Sequence, residues 1–142
     1  MKLIVNRCFG GFGLSGLAIK EYLKLKGKEA FFYKQTKYEH REGVEEYTRI
    51  DQLDDCFYLS CFTKDFGEAV SKFSKTDYKK HYFSYGDIER NDKDLIAVVE
   101  KLGEKANGQC AELEVVEIPD DIDWEISDYD GMERVEETHR SW

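Results

Sequence analysis

The chain predicts an α+β fold: a single compact domain over residues 1–142, with a mixed or antiparallel sheet and about two main helices. Three observations point there. Strand-like segments outnumber helical ones about two to one. The alternation of strand and helix that a doubly wound sheet requires fails between Glu29 and Phe62. A chain of 142 residues, 41% apolar and rich in Phe and Tyr, is long enough for one sizeable core and argues for one domain.

The first strand runs from Lys2 to Cys8 around Leu3, Ile4 and Val5. A helix follows, with Ser15 as its N-cap, an apolar face of Leu14, Ala18, Ile19, Tyr22, Leu23 and Leu25, and Gly27 as its stop. Lys20, Lys24, Lys26 and Lys28 gather toward its end, where cations suit the helix dipole. Glu29 to Gln35, holding Ala30-Phe31-Phe32-Tyr33, reads as the second strand. The polar stretch Thr36 to Glu46, with His40, Arg41 and Gly43, reads as a loop or a hairpin tip. Further strands are expected at Glu46 to Ile50 and Cys56 to Phe62. Beyond Lys64 the pattern predicts a short helix over Phe66 to Phe73, a charged loop to Lys80, and a strand from His81 to Ser84. Asn91 with Asp94 resembles a capping pair for a helix whose Leu95, Val98, Val99 and Leu102 fall at i, i+3, i+4 and i+7. Asn107-Gly108 suits a left-handed end for that helix. Ala111 to Ile118 is a strand that Pro119 ends, and Trp124 to Tyr129 and Met132 to Thr138 flank Asp130-Gly131, a strong hairpin signal.

Charge is unevenly placed. Residues 1–87 carry 15 Lys+Arg against 13 Asp+Glu, whereas residues 88–142 carry 6 against 17, within a net charge of −9. An acidic whole argues against duplex nucleic acid as a partner, because such binding displaces counterions from a basic surface. The acidic end reads first as a solubility device. No apolar run approaches the ~20 residues of a membrane span, and Arg7 and the glycines fall where a signal peptide needs an unbroken apolar region. The sequence therefore predicts a soluble, unsecreted protein without a membrane partner. Cys8, Cys56, Cys61 and Cys110 lack zinc-site spacing and read as reduced, buried thiols. No metal or cofactor is called for.

The chemistry-bearing stretch is Asn6-Arg7-Cys8-Phe9-Gly10-Gly11-Phe12-Gly13-Leu14-Ser15-Gly16. Gly11-x-Gly13-x-x-Gly16 follows a strand and opens a helix, a setting in which glycines let the backbone bend and approach a phosphate. Four glycines in seven residues equally suit a tight turn with no ligand. The candidate ligand-binding set is Arg7 as a cation, Phe9 and Phe12 as faces for a purine, the N–H groups of Gly10, Gly11 and Gly13, and Ser15. Arg90 stands at a second helix start, and Arg134 and Arg140 are candidates to close the site from the C-terminal hairpin. Each arginine alone is an ordinary surface charge, and only convergence on one pocket gives them a common role. A conventional NAD enzyme is disfavoured, because Lys34 and Gln35 stand where the ribose-binding acid belongs.

Catalytic candidates are few. His40, His81 and His139 share no ligand spacing, Ser15 lies outside a nucleophile elbow, and Cys8 fits the end of a strand. Asp120, Asp121 and Asp123 form an acidic loop, so no acid and base pair can be assigned. The reading leans away from an enzyme. Enclosing a dinucleotide-sized ligand takes walls from several elements, which predicts a homodimer or higher homo-oligomer. Thr138 to Trp142 is expected to be ordered and functional, since a terminal Trp is costly to leave in water and His139-Arg140 beside it can donate to a phosphate; the alternative is that Trp142 only pins the hairpin of residues 124–138 against the core.

The run from Asn6 to Phe12 with Leu14-Ser15, together with Val116-Glu117-Ile118-Pro119-Asp120, Trp124-Glu125-Ile126, Tyr129-Asp130-Gly131 and His139-Arg140-x-Trp142, resembles a family of small phage and prophage proteins. The likeness leaves Thr36 to Tyr78 largely unmatched and carries over no catalytic residue. It implies a phage context and expression in a bacterial cytoplasm. By analogy of class, small acidic phage proteins with a nucleotide-sized pocket are similar to anti-defence sponges that hold cyclic dinucleotides or cyclic ADP-ribose derivatives. A small phosphodiesterase or nucleotide-modifying enzyme, and an acidic protein-binding inhibitor of a host protein, stand as alternatives.

Overall fold

The computed structural model describes residues 1–39, 44–53 and 59–138. In chain order the elements are β1 (Lys2–Asn6), α1 (Gly16–Leu25), β2 (Phe31–Glu39), β3 (Val44–Ile50), β4 (Leu59–Phe62), β5 (Ala69–Val70), α2 (Lys75–His81), β6 (Tyr82–Phe83), α3 (Lys93–Leu102), β7 (Leu113–Glu117), β8 (Trp124–Tyr129) and β9 (Met132–Glu137). Every strand pairing among the described residues is antiparallel, and the fold class is α+β. Contacts along the chain divide it into two compact units, Met1–Tyr22 with Tyr85–Trp142, and Leu23–Ser84.

In the first unit β1 pairs with β7, Leu3 opposite Val116. Leu3, Ile4 and Val5 are wholly buried, and α3 packs over both strands with Leu95, Val98 and Val99. The strand ends at Asn6 rather than Cys8 because the Asn6 side chain takes over the ladder. Its Oδ1 accepts from the N–H groups of Cys8 and Glu112, and its Nδ2 donates to the carbonyls of Cys8 and Gly131, so this buried amide is fully satisfied.

Helix α1 starts as its sequence predicts: Ser15 Oγ accepts from Ala18 N at 3.1 Å. Gly27, at φ +76°, ends it in a Schellman arrangement, with Gly27 N bonded to Lys24 O and Lys28 N to Leu23 O. Leu25 is a correction, since its side chain is exposed rather than part of the apolar face. Tyr22 donates to Asp92 at 3.3 Å, and Lys101 pairs with Glu21 on α1. The cap of α3 lies one residue beyond the expected one: Asp92 Oδ1 accepts from both Asp94 N and Leu95 N. The helix ends at Leu102 with Gly103 at φ +58°, while Asn107 has an ordinary φ of −67°. A 3-10 turn over Gly103–Ala106 continues from the helix and Asn107 caps it, so the helical stretch stops where expected but without a left-handed residue there. The hairpin of β8 and β9 forms as expected, with Asp130 and Gly131 at φ +51° and +90°.

The second unit is a five-stranded sheet in the order β5-β3-β2-β4-β6. Strands β2 and β3 reach further into the polar stretch than its composition suggests, with a bulge between Gln35 and Lys37. His40, Arg41 and Gly43 lie outside the described residues, as does Cys56. The helix expected over Phe66 to Phe73 is absent, and helix α2 stands later, at Lys75–His81, capped by Ser74 Oγ on Asp77 N. Phe66 and Phe73 serve the core instead. Phe73 stacks on the buried Phe62 at 4.3 Å, and both meet Tyr33 edge-on. The buried Tyr33 hydroxyl accepts from Phe66 N and donates to Gly67 O, which fixes the segment as a loop. No described helix is long and apolar enough to cross a membrane.

Candidate functional site

The glycine turn is shaped by contact with its own chain. Gly10 N donates to Asp130 O at 2.9 Å, and a Cβ on Gly10 would stand 2.6 Å from that of Cys110. A Cβ on Gly131 would come within 2.1 Å of Gly11 N, and one on Gly108 within 2.7 Å of the Gly13 carbonyl carbon. Such approaches leave no room for any side chain. Gly10 and Gly11, at φ +118° and +108°, bend the backbone under the hairpin tip. Ser15 is the helix cap and also donates to the Lys105 carbonyl at 2.6 Å.

Two of the arginines, Arg7 and Arg90, do converge, and they meet at Glu133. Glu133, only 5% exposed, accepts Arg90 through a two-pronged pair at 2.5 and 2.8 Å, and its Oε1 also accepts from Asn6 N. Arg7 donates to the Glu133 carbonyl at 3.0 Å and pairs with Glu114 at 2.7 Å. The Arg90 guanidinium lies 3.7 Å above the Phe12 ring, whose edge meets Tyr85. That face of the half-buried ring is taken by Arg90. Arg134 pairs with Glu136 on its own strand. Arg140 lies outside the described residues, as do His139 and Trp142.

Phe9 is the aromatic member of the expected set that projects outward. It is 55% exposed and meets the 74% exposed Tyr129 edge-on at 6.4 Å, with Met132 opposite Tyr129 in the hairpin. The three make an apolar knob among Asp128, Asp130 and the other acids of the hairpin.

Nucleophilic and metal chemistry find little footing among the described residues. Burial pushes the Cys61 thiol up to about 12, where it stays protonated and unreactive. Cys8 is half-buried, and Cys110 is exposed, against the expectation of buried thiols. No three His, Cys, Asp or Glu side chains gather as a metal site among the described residues.

A different cluster stands in the second unit. An open depression of about 480 Å³ is lined, among the described residues, by Lys75, Thr76, Lys79 and Lys80 of α2. No ion pair or hydrogen bond engages these three lysines among the described residues. At about 100° per residue, Lys75, Lys79, Thr76 and Lys80 share an arc of about 140°, and Asp77 and Tyr78 flank it, each about 60° beyond one end. Thr76 adds a hydroxyl donor. Like charges at this spacing repel one another, by tenths of a kcal/mol per pair, and an anion relieves that repulsion. The sequence signal was Lys75, Lys79 and Lys80 at i, i+4 and i+5, which carries meaning only once the helix is placed at 75–81 rather than 66–73.

Family models, curated proteins and solved structures offer no match to this chain.

Proposed function

We propose that the protein binds and holds a phosphate-bearing, nucleotide-derived signal without turning it over, as a phage anti-defence protein in a bacterial host would. The observation that carries this reading is the arc of three lysines, without an ion-pair partner among the described residues, and a threonine hydroxyl around the α2 depression. The depression is open to solvent, and its ammonium and hydroxyl donors are the ones phosphate oxygens require. The glycine turn, by this reading, supports the fold. The panel that tests it is a set of cyclic dinucleotides and cyclic ADP-ribose isomers, incubated with the protein and recovered by heating. Intact recovered ligand supports sequestration, and altered ligand supports an enzyme. No retention of any member overturns the proposal.

One observation favours a second reading. Phe9, Tyr129 and Met132 form an exposed apolar knob in an acidic setting, the composition of an anchor for a partner protein with a basic rim. An acidic inhibitor of a host protein is then the function, and the same panel returns no ligand.

A further inference from the structure

We infer that the α2 depression reads a base as well as phosphate: its ligand is a nucleotide with at least two phosphate charges and one unpaired base that stacks on Tyr78. This inference rests on the anion-binding reading of Lys75, Lys79 and Lys80, and it names the ligand class of that same site.

Tyr78 lies on α2 about 60° from Lys75, at the edge of the depression and at the end of the lysine arc away from Asp77, which flanks the other end beside Lys80. Its ring stacks on Tyr82, with centroids 4.4 Å apart and planes 11° from parallel. Both rings reach solvent, Tyr78 at 47% exposure and Tyr82 at 39%. The stacked pair is held by Phe62. This wholly buried ring meets Tyr78 and Tyr82 by their edges, at 5.9 and 5.6 Å, and is itself stacked on Phe73. The pair is thus an ordered platform rooted in the core, so little side-chain entropy remains to be lost when a third ring joins. Aromatic faces beside a row of cations bind unpaired bases with little regard to their identity, because every base has a π-face. A duplex buries those faces and is excluded.

The test uses the intact chain and three probes: inorganic pyrophosphate, the linear dinucleotide pApA and cyclic di-AMP, titrated calorimetrically at one salt concentration. The expected result is that the parent binds at least one dinucleotide roughly tenfold or more tightly than pyrophosphate. Tyr78→Leu should erase that margin while leaving pyrophosphate within about twofold, and Tyr78→Phe should keep it. Lys75→Glu/Lys79→Glu should lose all three probes. Equal affinities for pyrophosphate and both dinucleotides in the parent, a comparison that needs no variant, would overturn the base-stacking inference and leave the anion site standing. Binding that survives Lys75→Glu/Lys79→Glu, or no binding of any probe, would overturn the anion site and the inference together.

Discussion

The arginines of the first unit and the lysines of α2 use positive charge in opposite ways. In residues 1–22 and 85–142, where 9 Lys+Arg face 19 Asp+Glu, Arg7, Arg90 and Arg134 are each held by a carboxylate, Glu114, Glu133 and Glu136. In residues 23–84, with 12 against 11, Lys75, Lys79 and Lys80 share one helix arc with no partner among the described residues. An arginine that is already two-pronged on a buried glutamate is a structural tie, and an added anion must displace that glutamate before it gains anything. An unpaired lysine carries no such cost. Proximity of cations to a glycine turn is therefore a weaker sign of an anion site than cations that nothing neutralises.

The comparison breaks most visibly at Glu133. Replacing it by Ala leaves Arg90 charged and only partly solvated, with Asn6 N unsatisfied, and should destabilise the protein by about 3–5 kcal/mol in denaturant titrations. A loss under about 1 kcal/mol would mean that the ion pair is dispensable. Next in size is Gly131→Ala. Its Cβ would fall 2.1 Å from Gly11 N at φ +90°, and we expect a loss of about 2–3 kcal/mol as the hairpin tip lifts from the turn. Thermal stability equal to the parent's would show that the turn is not packed against the hairpin.

Lys75→Glu/Lys79→Glu sharpens the contrast from the other side. Exposed and unpaired, these lysines should change stability by less than about 0.5 kcal/mol, in the same denaturant titration. A larger loss would mark them as structural after all. The smallest expected effect concerns acid. Gly67 N, with Arg49, holds the Asp65 carboxyl below its ordinary value. A depressed carboxyl adds stability above its unfolded-state value, and that stability fades as pH falls through the folded one. Asp65→Asn should flatten the acid limb of a stability-against-pH curve, and an unchanged limb would refute the assignment.

What the sequence reveals depends on how local each cause is. Ser15 and Gly27 bound α1 through bonds within the helix itself, and Asp130-Gly131 specifies its hairpin by backbone angle alone, so both are legible. The misplaced helix at Phe66 to Phe73 shows the limit. Those phenylalanines have helical spacing, yet they are claimed by Tyr33 and Phe62 from other strands. The site suffers more, since Arg7 meets Glu114 across 107 positions of sequence and Arg90 meets Glu133 across 43. No spacing rule reveals that an arginine is already taken. The lysines of α2 were visible as a cluster, but an arc exists only once a helix does.

The claim that phosphate-binding charge resides on α2 and not at the glycine turn is most directly tested by titrating pyrophosphate into Lys79→Glu and Arg7→Ala side by side, at one salt concentration. This account predicts that Lys79→Glu weakens binding roughly tenfold or more while Arg7→Ala matches the parent. Loss of binding in Arg7→Ala with Lys79→Glu unaffected would contradict it.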